Sequence, residues 1–133
     1  MPSIFPALFA YQEIAPFLIR LILAAVFIKH GYPKLFGSYT TTVQFFNSQG
    51  IKPAKIWVII VGIAEFFGGI FLLLGLFTQI AAGIIALVML GAIAFVKRKY
   101  GFAGGYEFDL ALLVLALSLL VLDPGIFSFD VPF

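Results

Sequence analysis

One apolar segment, residues 56–77, contains a single charged residue, Glu65, close to its middle. An α-helix of that length spans about 33 Å, which is enough to cross the hydrocarbon core of a bilayer. A carboxylate at that depth costs roughly 2.5–3.5 kcal/mol, so we expect Glu65 to face protein or trapped water and to have a partner. Gly62 and Gly69 share its helical face, where small residues let another helix approach closely.

The composition indicates an integral membrane protein with room for one domain. Hydrophobic residues make up 63% of the 133 residues and charged residues 11%, whereas about 25% of a soluble domain is charged. The absence of cysteine excludes disulfides and thiolate metal sites, and a single histidine cannot supply a two-histidine haem site within one chain. We expect no metal site, and the net charge of +2 gives no reason to expect a nucleic-acid partner.

The hydropathy pattern predicts an all-α integral membrane protein, a four-transmembrane-helix bundle in one domain over residues 1–133. The predicted spans cover residues 14–32, 56–77, 80–96 and 106–122. Gly31 and Pro33 predict a bend or an end of the first helix. The polar and aromatic connector that follows predicts a short helix on the membrane surface, capped by Ser38 and ended at Gly50.

The distribution of basic residues predicts the orientation. Two of the connectors between spans, with the span ends beside them, contain Lys29, Lys34, Lys52, Lys55, Lys97, Arg98 and Lys99. The N-terminal segment, the connector between spans two and three and the C-terminal tail contain no Lys or Arg. The positive-inside rule therefore predicts a multi-pass protein of the cell (inner) membrane with both termini outside the cytoplasm.

Several motifs together resemble one known family. Arg20 in the first span is followed by HGYPKLFG, spans two and three contain EFFGGIFLLLGLFTQIAA, span four begins with GGYEFDLALL, and DPGIFSFD follows it. This combination resembles the DoxX family of small four-helix membrane proteins. The resemblance implies that the recurrent polar residues are Arg20, His30, Lys34, Glu65 and Glu107. It also implies that Gly31, Gly69, Gly75 and Gly105 are structural glycines. Gly62 is added to them because it shares the helical face of Glu65.

Depth along the predicted helices groups the polar residues into two candidate sites. Arg20 lies roughly 6 Å to the outer side of the middle of span one, so its side chain is predicted to reach Glu65. This pair either locks two helices together or holds a polar ligand head and relays protons. His30 and Glu107 fall roughly 9–10 Å from the midplane on the other side, with Lys34 one turn further. The side chains of that cluster either extend to the membrane–water interface or exchange protons at the cytoplasmic end of the bundle.

Three functions are compatible with these features. The resemblance implies a redox-associated membrane subunit, because some DoxX relatives are linked to quinone-coupled oxidation of sulfur compounds and others to oxidant-defence complexes. Such a subunit would bind quinone or a polar-headed lipid at Arg20 and Glu65. No cofactor-binding motif is visible, so a soluble or peripheral redox enzyme would supply the electrons. A proton-coupled carrier and a structural anchor for a partner enzyme are the alternatives, and a homo-oligomer is compatible with each.

Asp109 either joins the cytoplasmic cluster or favours the helix dipole.

Overall fold

The computed structural model describes residues 1–130, and all the regular elements in this part of the chain are helical. The five α-helices are α1 (Ile14–Phe36), α2 (Tyr39–Ser48), α3 (Ala54–Leu74), α4 (Thr78–Ala92) and α5 (Glu107–Val121). Short 3-10 helices cover Pro6–Tyr11 and Arg98–Tyr100, and a π-helical turn covers Ile93–Lys97. Phe102–Tyr106 is a kinked segment with non-helical backbone at Ala103 and Gly104.

Four helical segments are long and apolar enough to cross a membrane, which confirms the predicted all-α fold with four spans. They are Ile14–Phe36, Ala54–Leu74, Thr78–Tyr100 and Phe102–Val121. Between 22% and 33% of the most apolar part of each span is buried within the protein, so most of its surface is left for contact with lipid. The chain is therefore a membrane-spanning bundle.

The first helix is longer than predicted. It continues through Gly31 and Pro33 and ends at Phe36, so the expectation that these residues end the helix near Tyr32 is wrong. A proline removes one helical hydrogen bond, but the same segment packs tightly on α3. A Cβ atom added at Gly31 would lie 2.5 Å from the backbone nitrogen of Phe66. This close approach requires glycine and supports the helix beyond the predicted end.

Small residues along α3 determine how α1 and α3 pack. Gly69 faces Ile28 and the carbonyl of Ala24, and Gly62 faces the side chains of Lys34 and Leu35. The helices are antiparallel, with Gly31 opposite Phe66 between these two contacts. Helices α4 and α5 pack beside this pair around a common core that includes Leu23, Phe27, Leu72, Ile85 and Leu119.

The short helix α2 confirms the predicted helix in the connector after the first span, and its place on the membrane surface stays a prediction. Val43 and Phe46 pack on Ala54 and Val58 of α3 and form a second, smaller core, whereas Phe45 is exposed. Ser38 stands at the N-cap position but makes no side-chain capping bond. α2 thus buries one face against the bundle and presents the other at the end that carries the basic residues.

The turn between α3 and α4 is tight. Gly75 ends α3 in the left-handed conformation with φ of +68°, and the amide of Leu76 donates to the carbonyl of Phe71 at 2.9 Å. This arrangement is a common ending of helices, in which glycine avoids the penalty that a Cβ atom would impose. Thr78 already begins α4, so the two spans form the tight hairpin that the sequence predicts.

Candidate functional site

Arg20 is fully buried. It lies at the end of the bundle where α1 begins and α5 ends, and backbone carbonyls surround its guanidinium. Nε donates to Pro124 (2.8 Å), Nη1 to Leu72 (2.9 Å) and Leu73 (3.4 Å), and Nη2 to Ile126 (2.6 Å) and Phe127 (3.1 Å). A guanidinium has five N–H donors in a rigid fork. The five carbonyls therefore use its full donor capacity.

The C-terminal tail reaches Arg20 because it folds back over the turn between α3 and α4. The Asp130 carboxylate accepts hydrogen bonds from the amides of Phe77 (2.6 Å) and Thr78 (2.9 Å) at the start of α4. The Ser128 hydroxyl donates to the carbonyl of Gly75 at 2.9 Å. We call Arg20 together with residues 124–130 the tail clamp. It ties α1, the end of α3 and the start of α4 to the tail.

Arg20 and Glu65 do not form the predicted pair, and that prediction is wrong. Glu65 instead pairs with Lys34. The predicted pair required the middles of the first and second predicted spans, near Leu23 and Phe66, to lie at the same depth in the membrane. Gly31 lies opposite Phe66 instead, about eight residues or 12 Å further along α1. This register moves Arg20 away from Glu65 and toward the end of α3.

Lys34 and Glu65 form a buried ion pair in the other half of the bundle. The Lys34 ammonium lies 3.0 Å from Glu65 Oε1, and the two side chains are 17% and 5% exposed. The same ammonium donates to the carbonyl of His30 at 3.1 Å. Glycine at position 62 leaves room for this contact, because a Cβ atom there would lie 3.1 Å from the Cβ of Lys34. The pair gives Glu65 the partner that its depth demands.

Two further ionisable side chains lie near this pair. His30 and Asp109 lie within electrostatic range of the Glu65 carboxylate. His30 is exposed, and its Nδ1 lies 2.7 Å from the carbonyl of Val26. Asp109 Oδ2 is buried and has no hydrogen-bond partner within residues 1–130. We call His30, Lys34, Glu65 and Asp109 the polar cluster, which is built from α1, α3 and α5.

Within residues 1–130 Glu107 forms no ion pair with His30 or Lys34, so the structure does not show the predicted contact among these three side chains. Glu107 Oε1 accepts a hydrogen bond from the amide of Gly104 at 3.0 Å, and its side chain borders an apolar groove on the outer surface of α5. Residues two positions apart point roughly 200° from each other around a helix. Glu107 is exposed and Asp109 is half-buried, so Asp109 faces the bundle.

The predicted structural glycines lie where other groups come close. Besides the α1–α3 contacts of Gly31, Gly62 and Gly69, a Cβ atom at Gly75 would lie 2.5 Å from Ser128 Oγ, and one at Gly105 would lie 2.9 Å from the carbonyl of Tyr100. Gly75 thus allows the tail to cross the turn between α3 and α4. In the part of the chain that is described, no group of three or more acidic or histidine side chains could hold a metal ion.

Comparison with known proteins identifies the family. The sequence model of the DoxX family matches residues 15–98. The chain belongs to the DoxX family. Within this match lie Arg20 and three members of the polar cluster, His30, Lys34 and Glu65, whereas Asp109 and the tail lie beyond it.

Two relatives match over most of this DoxX protein. "Putative oxidoreductase CatD" of Bacillus subtilis (strain 168) is 38% identical over 123 residues, which cover 87% of this chain and 90% of the relative. "Uncharacterized membrane protein Rv3486" of Mycobacterium tuberculosis (strain ATCC 25618 / H37Rv) is 30% identical over 125 residues, which cover 84% of this chain and 77% of the relative. No solved structure matches the chain.

Sequence reasoning missed three features of this DoxX protein: the carbonyl ligands of Arg20, the bonds of Asp130 and the pairing of Lys34 with Glu65. The ligands of Arg20 are backbone carbonyls, which leave no mark on composition, and Asp130 was read only as part of a short tail. The motif DPGIFSFD was a usable signal, because a polar tail after the last span needs partners of its own. The pairing of Lys34 with Glu65 was also missed, although both residues were candidates.

Proposed function

We propose that this DoxX-family protein is the membrane subunit of a redox system and that it binds quinone, or a similar polar-headed lipid, at the polar cluster. The proposal replaces the Arg20–Glu65 site of the sequence prediction, because the donors of Arg20 are already used by five carbonyls. The redox assignment is supported by the name of the Bacillus subtilis relative, which calls that protein an oxidoreductase.

The unpartnered oxygen of Asp109 beside a buried ion pair carries the proposal. A buried polar atom without a hydrogen bond costs about 1–3 kcal/mol, and most such atoms in proteins have a protein or water partner. Asp109 lies within electrostatic range of Glu65, whose own partner Lys34 still reaches the surface. A ligand or a bound water would therefore satisfy Asp109 without breaking an existing bond.

The polar cluster suits a ligand that both accepts and donates hydrogen bonds. Lys34 offers an ammonium donor, and Asp109 offers a buried acceptor oxygen. The oxygens of a quinone accept hydrogen bonds, and the hydroxyls of its reduced form donate them. His30, which is exposed at the same end, would exchange protons with the solvent.

In this proposal a peripheral redox enzyme meets the bundle at the end that carries the basic connectors. The positive-inside rule places this end in the cytoplasm and both termini outside. The partner would exchange electrons with the lipid-soluble ligand, and this chain would position the ligand's polar head within the membrane. The chain contributes binding, orientation and proton exchange at named side chains.

Binding of a quinone to the purified protein tests the proposal directly. The chain contains one tryptophan, Trp57, which lies on the same helix as Glu65 about 12 Å away along the axis. We expect a short-chain ubiquinone analogue to quench Trp57 fluorescence with saturation. Lys34→Met combined with Glu65→Gln removes the ion pair without leaving a charge alone. Loss of a hydrogen bond from a charged group is worth about 1.5–3 kcal/mol, so affinity should fall roughly 10- to 150-fold.

Lys29→Met is the matched control, because it removes a lysine from an exposed position of α1 while the polar cluster stays intact. Its quinone affinity should equal that of the wild type. If the wild type, the Lys34/Glu65 double variant and Lys29→Met all showed saturable quenching with equal affinity, the quinone would bind outside the polar cluster. Unsaturable quenching in all three would indicate only partitioning into detergent and would contradict quinone binding.

A further inference from the structure

The last turns of the third span form a groove that carries unneutralised positive charge. The groove has a volume of about 400 Å³ and is lined by Ala94, Phe95, Val96, Arg98 and Lys99. It lies at the end of the membrane-crossing segment Thr78–Tyr100, where the hydrocarbon core gives way to lipid head groups. The polar cluster lies elsewhere in the bundle, and no residue of the groove belongs to it.

Local helix geometry places the basic side chains next to an apolar wall. The helix changes from α to π at Ile93 and to a 3-10 turn at Arg98. Such π turns inside helices are frequent at functional sites. The Phe95 side chain on the wall is 71% exposed. The groove therefore combines a hydrocarbon-facing aromatic surface with two cations one turn further along the chain.

The Lys99 ammonium is held in position by the surface helix. Its Nζ donates to Oε1 of Gln49, the residue that follows α2, at 2.6 Å, and it lies 5.3 Å from the centre of the Tyr100 ring. Neither contact neutralises its charge. Within residues 1–130 the only ion pair joins Lys34 and Glu65, so the charge of Arg98 is not neutralised by a described acid either.

We propose that this groove binds the head group of an anionic phospholipid from the surrounding leaflet. The two cations would contact the phosphate, and an acyl chain would lie along Phe95 and Ala94. A soluble phosphate would use only the charged half of the groove, and an acidic protein segment would leave the hydrocarbon-facing wall uncovered. A phospholipid matches both halves at the depth where the groove lies. This inference does not depend on the proposed redox function.

Native mass spectrometry of the protein in detergent tests the inference. Phosphatidylglycerol and phosphatidylcholine are added separately, and glycerol phosphate is added as the soluble head group. We expect the wild type to retain phosphatidylglycerol in preference to phosphatidylcholine and to retain little glycerol phosphate. Each Lys or Arg near an anionic lipid contributes about 1 kcal/mol, so Arg98→Gln with Lys99→Gln should weaken phosphatidylglycerol binding roughly 30-fold.

The matched control is Lys52→Gln with Lys55→Gln, which removes two charges before and at the start of α3 and outside the groove. It should bind phosphatidylglycerol as the wild type does. Gln49→Ala keeps both charges but releases Lys99, and it should weaken binding less than the double variant does. Equal losses in the two double variants, equal retention of the two lipids, or glycerol phosphate binding as tight as lipid binding would each overturn the inference. If the Arg98/Lys99 variant does not fold, an unchanged affinity in Gln49→Ala would overturn it.

Discussion

Arg20 and the Lys34–Glu65 pair are charged groups buried in the same helix bundle, at opposite ends of the α1–α3 interface. Every donor of Arg20 is used by a carbonyl, from the end of α3 or from the tail. The Lys34–Glu65 pair is held by one contact of 3.0 Å, and the nearby Asp109 retains a buried oxygen without a partner. A charge whose bonds are all used holds structure, whereas a charged group with unused capacity can bind something else.

The tail clamp and the polar cluster also differ in how the sequence determines their hydrogen-bond partners. Arg20 bonds only to backbone, so its environment depends on the path of the tail rather than on side-chain identity. The polar cluster depends on four side chains from three helices. Substitutions in the tail clamp should therefore change stability, and substitutions in the polar cluster should change binding more than stability.

Arg20→Met should produce the largest loss of stability. It leaves five carbonyls without their donor at a site that is 0% exposed, and each unsatisfied buried group costs about 1–3 kcal/mol. Because some of these carbonyls will find water, we expect about 3–5 kcal/mol in equilibrium unfolding from mixed micelles. Arg20→Lys keeps the charge but not the fork, and it should recover part of the loss. Unchanged stability in Arg20→Met would contradict the structural role of the tail clamp.

Gly31→Ala tests the register that separates the two regions. A Cβ atom there meets the backbone of Phe66 at 2.5 Å, and backbone cannot rotate away, so we expect a cost of about 2–3 kcal/mol. Gly91→Ala is the control, because nothing lies within 4 Å of a Cβ atom at that position. It should be neutral or should stabilise helix α4 by up to about 1 kcal/mol. The same unfolding measurement compares them, and similar values for both would refute the close α1–α3 contact.

Glu65→Ala should cost less than either change above. It removes the partner of Lys34, but that side chain is partly exposed and its ammonium can move toward the interface. We expect about 1–2 kcal/mol from the lost charged hydrogen bond. Glu65→Gln, which keeps an acceptor, should cost less. Glu107→Gln should stay within about 0.5 kcal/mol because that side chain lies at the surface. A larger loss of stability in Glu107→Gln than in Glu65→Gln would support the predicted cluster of His30, Lys34 and Glu107.

Apart from the control substitutions, Asp130→Ala should produce the smallest loss of stability. It removes the acceptor for the amides of Phe77 and Thr78 at the start of α4, and loss of such a cap costs about 1 kcal/mol. Asp123→Ala removes another acid from the tail region, at an exposed position, and should leave the midpoint of unfolding unchanged. Equal shifts in the two variants would indicate a general charge effect rather than a cap.

The sequence is sufficient to predict the elements but not their relative positions along the membrane normal. Hydropathy alone predicts four spans, and the aromatic and polar connector predicts α2. The pairing of Arg20 with Glu65 failed because it took the first helix to end at Tyr32 and aligned the middles of two spans. The contact of Gly31 with Phe66 sets the register instead, and a pairwise contact of this kind has no signature in one sequence.

The choice between Glu107 and Asp109 shows a related limit. Both acids lie in the first turn of α5, and depth along the helix cannot distinguish them. Rotation of the helix about its axis decides which acid faces the bundle, and that rotation depends on packing against α4 and α1. For this reason the sequence predicts an acid near His30 and Lys34 but not its position in the chain.

The tail clamp also has a consequence for synthesis. Chains emerge from the ribosome N-terminus first, so α1 enters the membrane while the tail carbonyls that receive Arg20 have not yet been made. The guanidinium must stay near the membrane surface, or bind water, until residues 124–130 follow. Completion of the fold is thus tied to the arrival of residues 124–130, and a truncation before Pro124 would leave Arg20 without its ligands from the tail.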